Sequence, residues 1–92
     1  MDGSYPIGPC LLTADAVPDP GALRVTCRVN GEPRQDERAG SMIHPIPAII
    51  AFLSRYLTLL PGDIISTGTP AGVGKARGLP LAPGDVVEAE VE

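Results

Sequence analysis

The chain has 92 residues, with seven Lys or Arg against eleven Asp or Glu and a formal net charge of −4. Because phosphate binding requires a stripe of positive charge, this balance predicts no nucleic-acid partner. No apolar run approaches the ~20 residues of a membrane span, and the first ten residues lack the pattern of a signal peptide. We therefore expect one cytoplasmic domain at most, with no membrane partner and with Cys10 and Cys27 reduced.

The first half of the chain reads as proline-rich extended backbone followed by a β-hairpin. Prolines favour turns up to about residue 22, with at most a short strand around Cys10 to Thr13. Residues 23–29 then alternate, with Leu23, Val25, Cys27 and Val29 on one face. The dipeptide Asn30-Gly31 predicts a tight hairpin turn. The polar return strand within residues 32–40 should lie at an exposed edge.

The second half contains the one helical pattern and two related turns. In "IPAIIAFLSRYLTLL", an apolar stripe at helical spacing comprises Ile46, Ile49, Ile50, Leu53 and Leu57. "PGDIIS" and "PGDVVE" each predict a Pro-Gly turn that leads into a strand. The terminal stretch alternates Val87, Ala89 and Val91 with glutamates. These elements predict an α+β, mainly β fold with one amphipathic helix.

The segment "STGTPAGVGKA" is the first candidate for chemistry. It does not fit a phosphate-binding loop, because five residues separate Gly68 from Gly74 and Ala76 replaces the hydroxyl that would hold magnesium. Thr67, Gly68 and Thr69 offer hydroxyl groups and close backbone approach to a small anion such as a carboxylate. The alternative is a tight loop in which the glycines only satisfy turn geometry.

The remaining titratable residues allow two interpretations each. His44 is the single histidine and is either a general base or an ordinary residue at the helix entry. Glu88, Glu90 and Glu92 share one strand face and either converge on a cation or form a solvated outer face. No pair of residues has the Glu-x-x-His or His-x-x-x-His spacing of a helical metal site.

The ordered series of motifs resembles the fumarylacetoacetate hydrolase family over essentially all 92 residues. The matching segments are "PIGPCLLTADAVPDPGALRV", "VNGEPRQD", "SMIHPIPAIIAFLSRYLTLLPGDIISTGTPAGVG" and "LAPGDVVEAEVE". "LLPGDIISTGTPAGVG" is the most specific of them. His44 and Cys10 depart from the family pattern, since aromatic residues are common at these two positions.

The resemblance implies a mixed β-sandwich roll and a homodimer that acts on 2-oxo or β-diketo acids. Expected reactions are C–C hydrolysis of acylpyruvates, decarboxylation or tautomerisation of oxaloacetate, and isomerisation or hydration of dienoic 2-oxo acids, including products of aromatic catabolism. A magnesium or manganese ion would stabilise the developing enolate. By the same resemblance Thr69 contacts the substrate carboxylate, and Gly68 allows its close approach.

The family's metal carboxylates and its lid residues match no residue of this chain, and its lysine would precede Met1. The resemblance therefore implies that residues 1–92 form the C-terminal portion of a catalytic domain, which would be inactive and metal-free alone. The alternative is a non-catalytic oligomerising or binding module derived from the same fold. In either case Leu23, Val25, Ile49, Ile50 and Leu53 need an opposing surface, which predicts self-association or marginal folding.

Overall fold

The computed structural model describes residue 3, residues 5–74 and residues 77–92. Ala76, used above to exclude a phosphate-binding loop, and Met1, used to place the family's lysine, lie outside the described residues. The strands are β1 (Arg24–Val29), β2 (Glu32–Arg38) and β3 (Val87–Val91), and the one α-helix among the described residues is α1 (Ile46–Leu53). Short 3-10 turns occupy Ala14–Ala16, Pro20–Ala22 and Ala39–Ser41.

The three strands form one antiparallel sheet in the order β2-β1-β3, so β1 is the central strand. The predicted hairpin is confirmed, because Asn30 and Gly31 connect β1 to β2 with φ values of 54° and 79°. Positive φ at both turn positions is the geometry that matches the twist of the flanking strands. The predicted edge position of the return strand is confirmed as well.

A β-bulge interrupts the pairing of β1 with β2. Arg28 pairs with Pro33, whereas Cys27 pairs with Gln35, so Arg34 is an extra residue in β2. Residues that pair directly across an antiparallel sheet point to the same side. The bulge therefore places the Gln35 side chain on the same face as Cys27.

The two faces of the sheet differ in polarity. On one face Val25 and Cys27 are half-buried and Val29 is buried, with 8% of its surface exposed. On the other face Arg24 donates to both carboxylate oxygens of Asp36, from Nε at 2.7 Å and from Nη2 at 2.8 Å. This contact lowers the pKa of Asp36.

Helix α1 begins at Ile46 with Pro47 in its first turn, as predicted. The expected continuation to Leu57 is wrong, because α1 ends at Leu53 and the next three residues form a turn. Ile49 and Leu53 are half-buried, whereas Phe52 is 59% exposed. Within the described residues, α1 packs on no strand or other helix as extensively as the strands pack on one another.

The chain exposes far more surface than its size requires. Its accessible surface is 7600 Å², whereas a folded monomer of this mass exposes about 5,000 Å². Its radius of gyration is 14.9 Å, against about 12 Å for a compact domain of this length. The five residues expected to need an opposing surface are all half-buried or exposed. The fold therefore leaves much of its apolar surface in solvent.

The two Pro-Gly-Asp turns have the same geometry. Gly62 and Gly84 adopt φ values of 95° and 94°, and the amide N–H groups of Leu60 and Ala82 each donate to the aspartate of the turn that follows, at 2.8 Å. The strand expected after the first turn is absent, since residues 64–66 belong to no strand in the described chain. The short strand considered near residues 10–13 is also absent there. No helix in the described ranges is long and apolar enough to cross a membrane.

Candidate functional site

The candidate site is a loop of small residues, 67–74, that lies beside strand β2. The segment that leads into it starts at the turn of Pro61-Gly62-Asp63, where the Asp63 N–H donates to the Leu60 carbonyl at 3.1 Å. Side-chain and main-chain bonds thus fix the start of this segment. Two loop residues contact β2: Pro70 accepts a hydrogen bond from Gln35, and Gly72 lies against the Arg34 carbonyl.

Gly68 and Thr69 form the exposed part of the loop. Gly68 adopts a φ of 90°, and the space where a Cβ atom would lie has no other atom within 4 Å. Thr69 is exposed next to the buried Pro70. Among the described residues, no hydrogen bond is donated by the amide N–H groups of residues 67–69. The loop therefore has open space and available donors at one place, as an anion site requires.

Gln35 ties this loop to the sheet. Its Nε2 atom donates to Thr69 Oγ1 at 2.8 Å and to the Pro70 carbonyl at 2.8 Å, with the Ala71 carbonyl at 3.4 Å. The sequence motif "VNGEPRQD" contains Gln35, but its local pattern gave no indication of this contact. The partner lies 34 residues away in the sequence.

Two glycines allow the loop to pass close to its neighbours. A Cβ atom on Gly72, at φ 112°, would overlap with the Arg34 carbonyl oxygen. A Cβ atom on Gly74 would overlap with the Leu79 carbonyl oxygen. Arg77 Nη1 donates to the same Arg34 carbonyl at 3.2 Å. Gly72 and Gly74 thus allow close packing, whereas none of the described atoms restricts the space at Gly68.

The start of β3 is held by a second polar contact. Asn30 Nδ2 donates to Asp85 Oδ1 at 2.8 Å, and the Val86 N–H donates to Asn30 Oδ1 at 2.9 Å. The Ala82 N–H, followed by the Asn30 side chain, lowers the pKa of Asp85. Asp85 is therefore held in its charged form by the turn that it closes.

His44 and the three glutamates lie apart from the loop. His44 lines a cavity of about 400 Å³ with residues of α1, among them Ile49 and Phe52. Glu88 and Glu90 pair with Arg28 and Thr26 across the sheet, and Glu92 Oε2 lies 3.8 Å from Arg24 Nη1. The structure does not bring any of these residues to Gly68 or Thr69.

The described residues do not fit a divalent cation by themselves. In residues 3, 5–74 and 77–92, no group of three or more His, Cys, Asp or Glu side chains is arranged to hold a metal ion. Magnesium and manganese prefer several oxygen ligands, mainly carboxylates, around one ion. Asp63 and Asp85 are instead engaged in turns, and Asp36 in a contact across the sheet.

The comparisons with known proteins agree on one family. The model of the fumarylacetoacetate hydrolase C-terminal domain matches residues 1–92. The mitochondrial oxaloacetate tautomerase FAHD2A of Bos taurus is 47% identical over 94 residues, which cover 100% of this chain and 30% of the relative. The chain thus spans about 30% of the length of that relative.

Solved structures extend the agreement to the fold. Fumarylacetoacetate hydrolase from Exiguobacterium antarcticum superposes with a TM-score of 0.88 at 42% identity, over 100% of this chain and 34% of that one. Maleylpyruvate hydrolase from Sphingobium sp. SYK-6, in complex with manganese(II) and pyruvate, gives 0.81 at 42% identity, over 92% and 30% of the two chains. The fold expected from the resemblance is confirmed, and the chain belongs to the fumarylacetoacetate hydrolase family.

Proposed function

We propose that Gly68 and Thr69 bind the carboxylate of a 2-oxo or β-diketo acid. The observation that carries this proposal is the combination of open space at Gly68, amide N–H groups of residues 67–69 that donate to no described residue, and an exposed Thr69. A carboxylate only accepts hydrogen bonds, so a loop of donors complements it. The maleylpyruvate hydrolase in complex with manganese(II) and pyruvate supports this ligand class.

The activity that we propose for the complete enzyme is hydrolysis, decarboxylation, isomerisation or tautomerisation of such an acid. The relatives named above include an oxaloacetate tautomerase and a maleylpyruvate hydrolase. Magnesium or manganese would be the cofactor in that enzyme. Because the described residues do not fit such an ion, the 92 residues alone would bind the carboxylate but would neither hold the metal nor catalyse.

The proposal also covers the cellular location of the protein and an alternative, non-catalytic function. The relatives from cattle carry the word mitochondrial in their names, whereas a cytoplasmic location is proposed for this chain from its composition. The second candidate function is a non-catalytic oligomerising module. It is favoured by the apolar residues of α1 that face solvent, among them Phe52 at 59% exposure.

The test is a titration of the ¹⁵N-labelled 92-residue protein with pyruvate and with oxalate, followed by NMR. Saturable shifts centred on the amides of Gly68 and Thr69 are expected. Replacing Thr69→Val should weaken binding about tenfold, because one hydrogen bond to a charged group is lost, and Thr69→Ser should retain it. Thr58→Val, an exposed residue outside the loop, serves as the control. No shift at the loop with either acid would contradict the proposal and favour the module.

Metal binding is tested separately by calorimetry. Manganese(II) is titrated into the 92-residue protein with and without oxalate. No heat of binding is expected from the 92 residues, since their described carboxylates do not converge. Tight binding that oxalate strengthens would mean that this chain does contain a metal site.

A further inference from the structure

We propose that Gln35 is a positioning residue for Thr69, and that it directs the threonine hydroxyl hydrogen toward the bound carboxylate. This inference rests on the proposed function, because it assigns a role within the same loop. Gln35 does not touch the ligand in this arrangement. It acts by occupying a lone pair of Thr69 Oγ1, which leaves the hydroxyl hydrogen to bond the ligand.

The contacts of Gln35 determine the direction of the hydrogen bonds. Its terminal amide faces the carbonyl oxygens of Pro70 and Ala71, and carbonyls can only accept. The amide nitrogen, rather than the amide oxygen, must therefore point at the loop. Both of its short contacts, to Thr69 Oγ1 and to the Pro70 carbonyl, are 2.8 Å long.

This direction leaves the Thr69 hydroxyl as a donor. A threonine hydroxyl has one hydrogen and two lone pairs. Since Gln35 donates to the oxygen, the hydrogen is free to bond an acceptor on the exposed side of the loop. Accepting one bond also polarises the hydroxyl and strengthens the bond that it donates. An acceptor-only carboxylate is the ligand that this polarity matches.

The position of Gln35 makes the arrangement specific. Gln35 is half-buried and Pro70 is buried. The bond to the Pro70 carbonyl is partly buried and holds the Gln35 amide in place, whereas the bond to Thr69 lies on the exposed side, where a ligand can approach. The bulge beside Cys27 keeps the Gln35 side chain on the face that the loop covers. The contact is therefore built into the hairpin and not only into the loop.

The experiment compares pyruvate and oxalate affinities of the 92-residue protein and three variants by NMR titration. Gln35→Leu removes the donor and should lower the affinity for both acids about tenfold. Gln35→Glu has the same shape, but its carboxylate accepts from Thr69 and should weaken binding further at neutral pH. Lowering the pH protonates the introduced carboxyl group, which can then donate, so affinity should recover. The unsubstituted protein is followed over the same pH range.

Arg77→Leu is the matched control, because Arg77 anchors the same loop region to Arg34 without touching Thr69. It should leave affinity unchanged. Three-bond couplings to Thr69 Cγ2 should report one χ1 rotamer in the unsubstituted protein and averaging in Gln35→Leu. No binding in the unsubstituted protein would overturn the proposed function. Intact binding with unchanged affinity in Gln35→Leu, or no recovery of Gln35→Glu at low pH, would overturn this inference alone.

Discussion

Asn30 and Asp85 are 55 residues apart in sequence, and their side chains are joined by a hydrogen bond of 2.8 Å. Asn30 also accepts from the Val86 N–H and donates its own N–H to the Val86 carbonyl at 2.8 Å. The turn of the β1–β2 hairpin is thus fixed to the turn that precedes β3. This single residue connects two turns that are distant in the chain.

The first prediction separates the two roles of Asn30. Its φ of 54° lies in the left-handed region, which glycine adopts without strain and alanine does not. Asn30→Gly loses only the side-chain bonds, whereas Asn30→Ala should be less stable than Asn30→Gly by about 1 kcal/mol. The measurement is urea unfolding followed by circular dichroism. Equal stability of the two variants would show that the turn relaxes when the side chain is lost.

The second prediction concerns pH. The pKa of Asp85 is lowered in the folded protein, first by the Ala82 N–H and then by Asn30. The stabilisation from charged Asp85 is therefore complete above the ordinary aspartate pKa and is lost as pH falls through the lowered folded value. The ¹³C carboxyl shift of Asp85 should titrate with a pH midpoint below that of an aspartate in an unstructured peptide. Asn30→Gly should raise this midpoint.

A stability measurement provides the control for this pH effect. Asp85→Asn should be less stable than the unsubstituted protein at neutral pH, and the difference should shrink in acid. A difference that stays constant with pH would mean that the charge of Asp85 contributes nothing.

The third prediction compares two glycines of positive φ. Gly72→Ala would force a Cβ atom against the Arg34 carbonyl at φ 112°. We expect a loss of about 2 kcal/mol or more and release of the loop from Gln35. Gly78→Ala, at φ 65° with open space, should lose about 1 kcal/mol. Denaturant unfolding gives both values, and amide shifts of Gly68 and Thr69 should move only in Gly72→Ala.

The fourth prediction concerns the exposed face of α1. Phe52 packs on Tyr56 with ring centroids 5.2 Å apart, and both rings are mostly exposed. We expect the 92-residue chain to self-associate through this face, and Phe52→Glu to shift it toward monomer in sedimentation velocity experiments. Ala51→Glu introduces the same charge at an exposed position outside the cavity that contains Phe52. If both variants sediment alike, the association involves another surface.

Local signals in the sequence predicted the elements whose causes are local. The alternation of residues 23–29 predicted β1, Asn30-Gly31 predicted the hairpin, and Pro47 marked the first turn of α1. The helix was predicted too long because Leu57 continues the apolar spacing. Spacing alone does not require the backbone to remain helical, and α1 ends where the turn at Ser54 begins.

Contacts between distant segments could not be predicted in the same way. The loop of Gly68 and Thr69 was identified as a candidate anion site from its composition, but nothing near Gln35 indicated that its amide would reach Thr69. The bulge that permits this contact has no local signature, since Arg34 and Gln35 stand in an ordinary polar strand. The strand expected after Asp63 failed for a related reason, because strand formation needs a partner as well as β-branched residues.

The extra residue in β2 makes the site sensitive to strand register. If β2 slipped by one residue so that the bulge disappeared, Cys27 would pair with Arg34 and Gln35 would pair with Thr26, on the opposite face of the sheet. Residues 67–74 would then lose their contact with Gln35, although every side chain of the candidate site remained in the protein. Under the proposed function, a misaligned hairpin is therefore enough to impair carboxylate binding, in a molecule whose loop and whose sequence are both intact.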